Sequence, residues 1–238
     1  MMMDHMMKPQ EMIFFTVNDL ILGKKMAVYF RQKDTSASSP HLLPREEADS
    51  ISFSFKDLHN LLQFFSFSPG SPQANAIEDT LRQCEIKPII GETKFCATSL
   101  ESMLDFVRGV FGLDSAFSVV TTTHYTDSYV TFQNYTILEV PREILAPKMV
   151  ACHTMPYPYL VYYCHSQKSE NKVFKVPLRG DNGERVEAVA VCHMDTSQWS
   201  RDHASFRVLG IEPGTDPVCH FFPDDNLVWV PQAVSSSM

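Results

Sequence analysis

The chain has no apolar run close to the roughly 18 residues that a membrane-spanning helix needs, so no spanning helix is expected. It lacks basic clustering. The longest run is Lys24-Lys25, and 20 Lys and Arg stand against 28 Asp and Glu for a formal net charge of −8. A nucleic-acid partner, which needs clustered cations, is therefore not expected. Met1 to Glu11 lacks a continuous apolar core and a small-residue cleavage site, so it does not read as a signal peptide. The motifs Gly-x-Ser-x-Gly, Gly-x-Gly-x-x-Gly, His-Glu-x-x-His and a P-loop are all missing, and the carboxylates are scattered with no acid–base couple among them. There is no Cys-x-x-Cys, and tryptophan occurs only at 199 and 229.

Cys-His dipeptides, by contrast, are over-represented. Four of the six cysteines are followed directly by histidine: Cys152-His153, Cys164-His165, Cys192-His193 and Cys219-His220, separated by 10, 26 and 25 residues. Successive side chains on a strand point to opposite faces. A Cys-His pair on a strand thus sends its sulfur to one side of the sheet and its imidazole to the other. Four sulfurs are placed to bridge inside and four imidazoles to gather outside.

The hydrophobic pattern changes along the chain. Residues 13–30 read as two short strands around a turn, and 31–40 as a surface loop. Helices are expected after Pro44, over Lys56–Phe65, over Ala74–Cys84 and over Thr98–Val110. In the last of these, Leu100, Met103, Leu104, Val107, Val110 and Phe111 form one apolar face. Beyond residue 117 the period becomes two. Strands are expected at 118–123, 129–138, 149–153, 159–165, 173–178, 185–193, 206–209, 218–221 and 227–230. The fold class is α+β: a helical N-terminal half packed on a largely antiparallel sheet or sandwich formed by the C-terminal half. A single domain is expected over 13–231, with disordered tails at 1–12 and 232–238.

Three chemistries compete for the Cys-His set. A zinc ribbon would use cysteine and histidine together, but neighbouring Cys and His point apart. Alternatively, the cysteines form two disulfides and the imidazoles only occupy a wet face. In the third reading the cysteines bridge while His153, His165, His193 and His220 hold copper or zinc; His203, one helical turn from Trp199, is a further ligand candidate, with packing on that tryptophan the favoured reading. Cys84 and Cys96 form a separate disulfide candidate, which would stabilise by roughly 3 kcal/mol. The pairing of Cys152, Cys164, Cys192 and Cys219 stays open among three connectivities. Six cysteines suit an oxidising compartment. Asn134-Tyr135-Thr136 is a glycosylation sequon, usable on the secretory route. Tyr157, Tyr159, Tyr162 and Tyr163 crowd the first Cys-His hairpin, as packing or as redox-active side chains.

The series CH-x10-CH-x26-CH-x25-CH resembles the signature of the BURP domain, a plant family. Ile13-Phe14-Phe15, Leu43-Pro44-Arg45-Glu46, Cys96-Ala97-Thr98-Ser99-Leu100-Glu101-Ser102, Tyr157-Pro158-Tyr159, Asp195-Thr196-Ser197 and Val228-Trp229-Val230-Pro231 extend the likeness over residues 13–231. The resemblance implies a secreted protein of the apoplast, cell wall or vacuole, acting in wall or seed development or in stress responses. Its partner would be a wall polysaccharide, a wall enzyme or a peptide. The alternative it implies is a copper-dependent oxidative cyclase that crosslinks Tyr or Trp side chains of a core peptide, with the Cys-His histidines holding the metal. Both tryptophans lie inside domain motifs, so that alternative needs a separate peptide substrate.

Overall fold

The structure is a computed structural model that describes residues 13–30, 40–126 and 130–232. The segment 1–12, nearly all of the 31–40 loop and all but the first residue of the 232–238 tail lie outside the described residues.

Serine side chains cap the two longest helices, whereas the first two helices start without a side-chain cap. Helix α1 (Arg45–Ser50) starts at Pro44, whose fixed φ suits a helix entry. Helix α2 (Leu58–Phe64) follows a 3-10 turn at Phe55–Asp57. Helix α3 (Pro72–Glu85) is opened by Ser71, whose hydroxyl accepts the Ala74 N–H at 3.1 Å. Helix α4 (Leu100–Phe111) is capped by Ser99 with Ser102 reaching back, and it ends at Gly112 with φ 108°. The sequence places Leu100 on the buried face of α4, but it is 44% exposed; Met103 and Val107 carry that face. Helix α5 (Ala204–Leu209) replaces the strand expected at 206–209. His203 caps its start and Gly210, with φ 67°, stops it, so two caps outweigh a short β-like run.

The strands, in chain order, are β1 (Phe14–Phe15), β2 (Lys25–Tyr29), β3 (Glu92–Ala97), β4 (Phe117–Val120), β5 (Thr123–His124), β6 (Phe132–Ile137), β7 (Arg142–Ile144), β8 (Val150–Met155), β9 (Val161–Gln167), β10 (Asn171–Gly180), β11 (Arg185–His193), β12 (Val218–Phe222) and β13 (Leu227–Pro231). About 35% of residues are strand and 25% helix, an α+β protein with mainly antiparallel sheet. The division into a helical first half and a stranded second half is not kept, because β1 to β3 precede α4 and α5 falls late.

The chain divides into two compact units. Of the described residues, one comprises 13–30, 117–126, 130–149 and 167–231; the other comprises 40–116, 150–166 and 232. In the first, a sheet runs β1-β12-β11-β10-β6-β2, with β5 added on β11 and β7 on β10. β10 and β11 form a long hairpin whose register runs from Asn171↔His193 to Arg179↔Arg185. Gly183, at φ 88°, supplies its tight turn. β11 is buried on both faces from Ala188 to His193, as a central strand must be. Tyr135, Ile137, Val176, Leu178, Ala188 and Ala190 pack with Cys192 and Cys219 in its core. In the same unit β4 pairs with β13.

In the second unit β9 lies between β3 and β8. Strands β8 and β9 form a hairpin through Pro156 to Leu160. The Thr80 hydroxyl of α3 donates to the Pro156 carbonyl at 2.8 Å, fixing that turn. The Cys84–Cys96 disulfide ties the end of α3 to β3. Ile77, Leu81, Met103 and Val107 are fully buried.

Candidate metal site

Register decides what the Cys-His dipeptides build. Cys152 stands opposite Cys164 across β8 and β9, and Cys192 opposite Cys219 across β11 and β12. In each pair the Cα atoms are 4.0 Å apart, and each pair is a disulfide. Once two cysteines face each other on antiparallel strands, the histidines that follow them point to the other face at diagonal positions. His153 faces Tyr163 while His165 faces Ala151. Likewise His193 faces Val218 while His220 faces Val191. Diagonal neighbours on one face lie within reach of ring side chains. One local arrangement is thus built twice, once in each unit.

In the β8–β9 hairpin the His153 and His165 rings stack at 26° with centroids 5.4 Å apart. Their Nε2 atoms are 3.3 Å apart. His165 Nδ1 lies 3.2 Å from Glu92 Oε1, and the Glu92 side chain is only 2% exposed. That contact is within ion-pair distance but is not aligned as a hydrogen bond, and neither of these two buried atoms has a hydrogen-bond partner. Burial opposes ionisation of Glu92, but the imidazole alongside and the Ile89 N–H more than offset it and hold the carboxyl below its usual range. The Tyr163 ring sits 5.6 Å from His165, and Lys94 Nζ lies 5.2 Å over that phenol. Burial raises the Tyr163 hydroxyl well above a free phenol.

In the β11–β12 pair the His193 and His220 rings stack at 21°, 5.7 Å apart. His193 Nδ1 is 2.7 Å from Asn171 Oδ1. The Asn171 amide N–H donates to the Ser169 carbonyl at 2.9 Å, so its oxygen is the atom turned to the ring. His220 Nδ1 faces the Phe221 carbonyl at 3.4 Å, and its ring lies on Phe222. Trp199 stands between two imidazoles, 5.0 Å from His193 and 4.5 Å from His203.

His203 is held differently. Its Nδ1 accepts the Ser205 N–H at 3.3 Å and lies 2.7 Å from the Ser205 hydroxyl, capping α5. The wet imidazole face expected from alternation is also modified. All four sulfurs are buried, but so are His153 and His193, each 6% exposed, because Tyr163, Trp199 and Asn171 crowd the same side. Asn134 of the sequon is exposed on β6, between β2 and the β10–β11 turn, with its amide 3.4 Å from Asp181.

Sequence reasoning misses Glu92 and Asn171. Glu92 begins a strand that the pattern Glu-Thr-Lys-Phe-Cys-Ala disguises, and Asn171 is only the cross-strand partner of His193. It also misses a buried polar cluster at Glu184. There Tyr135 Oη donates at 2.6 Å and Gln133 Nε2 at 2.9 Å to one carboxylate oxygen, while His124 Nδ1 lies 2.7 Å from the other. A buried acid two residues after the Asp181-Asn182 turn gives no periodic signal.

All six cysteines are in disulfides, so no thiolate is available and a zinc ribbon does not fit. Among the described residues no group of three or more His, Cys, Asp or Glu side chains gathers as a ready-made cage. Each stapled pair instead offers two imidazoles. Imidazole suits copper and zinc alike, and two ligands leave positions for a substrate or water. The residues fit such an ion as a two-nitrogen holder, backed by the Glu92 carboxylate behind His165 and the Asn171 carbonyl oxygen behind His193.

Fold and site together define a disulfide-stapled, largely antiparallel α+β protein that presents paired imidazoles. The BURP domain profile matches residues 13–231. The chain is 50% identical over 228 residues to the BURP domain-containing protein BNM2A of Brassica napus, covering 93% of this chain and 80% of that protein. It is 48% identical to the BURP domain protein USPL1 of Arabidopsis thaliana (93% and 81%) and 39% identical to the BURP domain protein RD22 of the same plant (93% and 56%). The chain belongs to the BURP domain family.

Proposed function

We propose that this is a plant protein of the oxidising extracytoplasmic space, in apoplast, cell wall or vacuole, whose stapled imidazole pairs bind copper. Three disulfides support the compartment, since they persist where thiols are not kept reduced. The observation that carries the metal is the His153–His165 contact. Two imidazole nitrogens 3.3 Å apart need a proton or a cation between them, and the Glu92 carboxylate stands behind one ring. His153, His165, His193 and His220 are the proposed ligands. Copper, when bound, would supply one-electron redox chemistry and a Lewis-acidic centre. The chain's own residues would orient the imidazoles, exclude water behind the rings and fix which nitrogen carries a proton. In this reading the protein acts in wall or seed development or in stress responses, on a wall polysaccharide, a wall enzyme or a peptide. Equilibrium dialysis against Cu(II) with metal quantification tests it: retained copper is expected, and none retained would refute the reading.

A second reading has its own support. Tyr163 and Trp199, both readily oxidised, lie directly against His165 and His193. This suits an oxidative cyclase that joins a Tyr or Trp side chain of a separate peptide to another atom of that peptide. One new bond would form as two electrons and two protons leave to dioxygen, giving hydrogen peroxide. Incubating the copper-loaded protein with Tyr- and Trp-containing peptides in air decides between the readings. A mass loss of two hydrogens marks catalysis, and unchanged peptides mark a binding protein.

A further inference from the structure

From the hydrogen-bond acceptors behind the rings, we infer that Glu92 and Asn171 are positioning residues that select the imidazole tautomer, and that they make the two pairs unequal as metal holders. The inference rests on the metal reading only for its second half. A neutral imidazole has one N–H and one lone pair, and the partner of one nitrogen decides the state of the other. Asn171 Oδ1 can only accept, so the facing Nδ1 of His193 carries the proton. A lone pair on His165 Nδ1 would face the Glu92 carboxylate at 3.2 Å, so that nitrogen carries its proton too, although the pair is not aligned as a hydrogen bond. The Ser169 carbonyl fixes the Asn171 amide in that sense. Nε2 of both rings is therefore left as a lone pair turned away from its anchor. Metal-binding histidines have this outer arrangement, and loss of the outer partner commonly weakens binding about 10–100-fold.

His203 shows the opposite state. A backbone N–H can only donate, so the Ser205 N–H forces His203 Nδ1 to accept and puts the ring proton on Nε2. The same residue type, held 4.5 Å from the same Trp199, is thus prepared as a helix cap and not as a neutral Nε2 ligand. The fold sorts its histidines by what stands behind them.

The anchors also differ in charge. Glu92 places a buried carboxylate behind its ring, whereas Asn171 places a neutral amide. A buried negative charge behind His165 raises the electron density of that ring and offsets part of a bound cation's charge. The His153/His165 pair is accordingly the tighter holder of Cu(II), and the His193/His220 pair the weaker.

Imidazole nitrogen NMR of the full-length, metal-free, 15N-labelled protein near pH 7.5 tests the tautomers without any metal. His165 and His193 should show pyridine-type Nε2 and protonated Nδ1, and His203 the reverse. Glu92→Gln keeps an acceptor for the Ile89 N–H but turns an amide donor toward His165, so the His165 proton should move to Nε2. Calorimetric titration with Cu(II) alone then ranks the pairs. His193→Ala/His220→Ala isolates the first pair and His153→Ala/His165→Ala the second. Affinity in the first background should exceed that in the second, fall by about 10-fold or more with Glu92→Gln, and rise in the second with Asn171→Asp. Protonated Nε2 on His165 or His193 in the unsubstituted protein overturns the inference, even if Glu92→Gln fails to fold. Equal affinities overturn the ranking. Correct tautomers with no copper bound to either pair overturn the ranking and the copper reading together, while leaving the tautomer assignment standing.

Discussion

Cys192 and Cys219 face each other across β11 and β12 with their Cα atoms 4.0 Å apart, and their disulfide lies inside the apolar core. The bond does two things at once. It closes a stretch of 27 residues, and it locks the register that places His193 and His220 diagonally on the opposite face. The Cys152–Cys164 bond does the same for His153 and His165 over 12 residues.

Replacing both partners with alanine separates stability from site assembly. Loop-closure entropy assigns about 3 kcal/mol to the shorter bridge and about 3.5 kcal/mol to the longer. At this size each removal should lower the melting temperature by roughly 10 °C. Calorimetry of Cys192→Ala/Cys219→Ala should show that drop, and copper binding should weaken even at temperatures where the variant is folded. Unchanged melting would mean that the staple carries no folding free energy.

The Glu184 cluster should be expensive to break. One carboxylate accepts from Tyr135 and Gln133 and lies against His124, joining β5 and β6 to the β10–β11 turn. Glu184→Ala leaves buried donors without acceptors, and about 3 kcal/mol of stability should be lost in urea unfolding. Glu184→Gln should lose less, since one oxygen still accepts. A loss below about 1 kcal/mol for the alanine variant would show that water replaces the carboxylate at little cost.

The sequence shows some of this and hides the rest for physical reasons. The Cys-His alternation is legible because strand period two is imposed by the backbone itself. Cys84 and Cys96 are legible as a pair because they stand apart from the four Cys-His dipeptides, which leaves each the other's one nearby candidate. The choice of Cys152 with Cys164, and Cys192 with Cys219, depends on which strands become neighbours, which no dipeptide encodes. Glu92 hides in a strand of mixed composition, and Asn171 acts only through cross-strand register. The α5 segment reads as β by composition, and only its caps at His203 and Gly210 show otherwise.

His203 gives a sharp contrast between cap and ligand. His203→Ala removes the side-chain cap of α5 and should cost about 1 kcal/mol, with copper affinity changed less than about twofold. His203→Asn, a good cap, should recover most of the stability. A large fall in copper affinity with either variant would instead make His203 a ligand.

Asp19 sets an acid-side dependence. Burial opposes its ionisation, but Lys24 at 2.9 Å and the N–H and hydroxyl of Thr16 prevail, so its folded pKa lies below the unfolded value of 3.8. Its stabilising contribution is therefore present above about pH 4 and fades as pH falls through the folded value. Asp19→Asn should lower stability at pH 7 and leave it nearly unchanged near pH 2. Equal losses at both pH values would show that the hydrogen bonds, not the charge, matter.

The most direct measurement is the electron paramagnetic resonance spectrum of the protein with one equivalent of Cu(II), beside that of His165→Ala/His193→Ala. Nitrogen hyperfine structure from imidazole should appear in the unsubstituted protein and be lost or strongly reduced in the double variant, whose circular dichroism should stay unchanged. A spectrum of unbound aqueous copper in the unsubstituted protein, or identical nitrogen splitting in both, would contradict the pairing of imidazoles as a metal site.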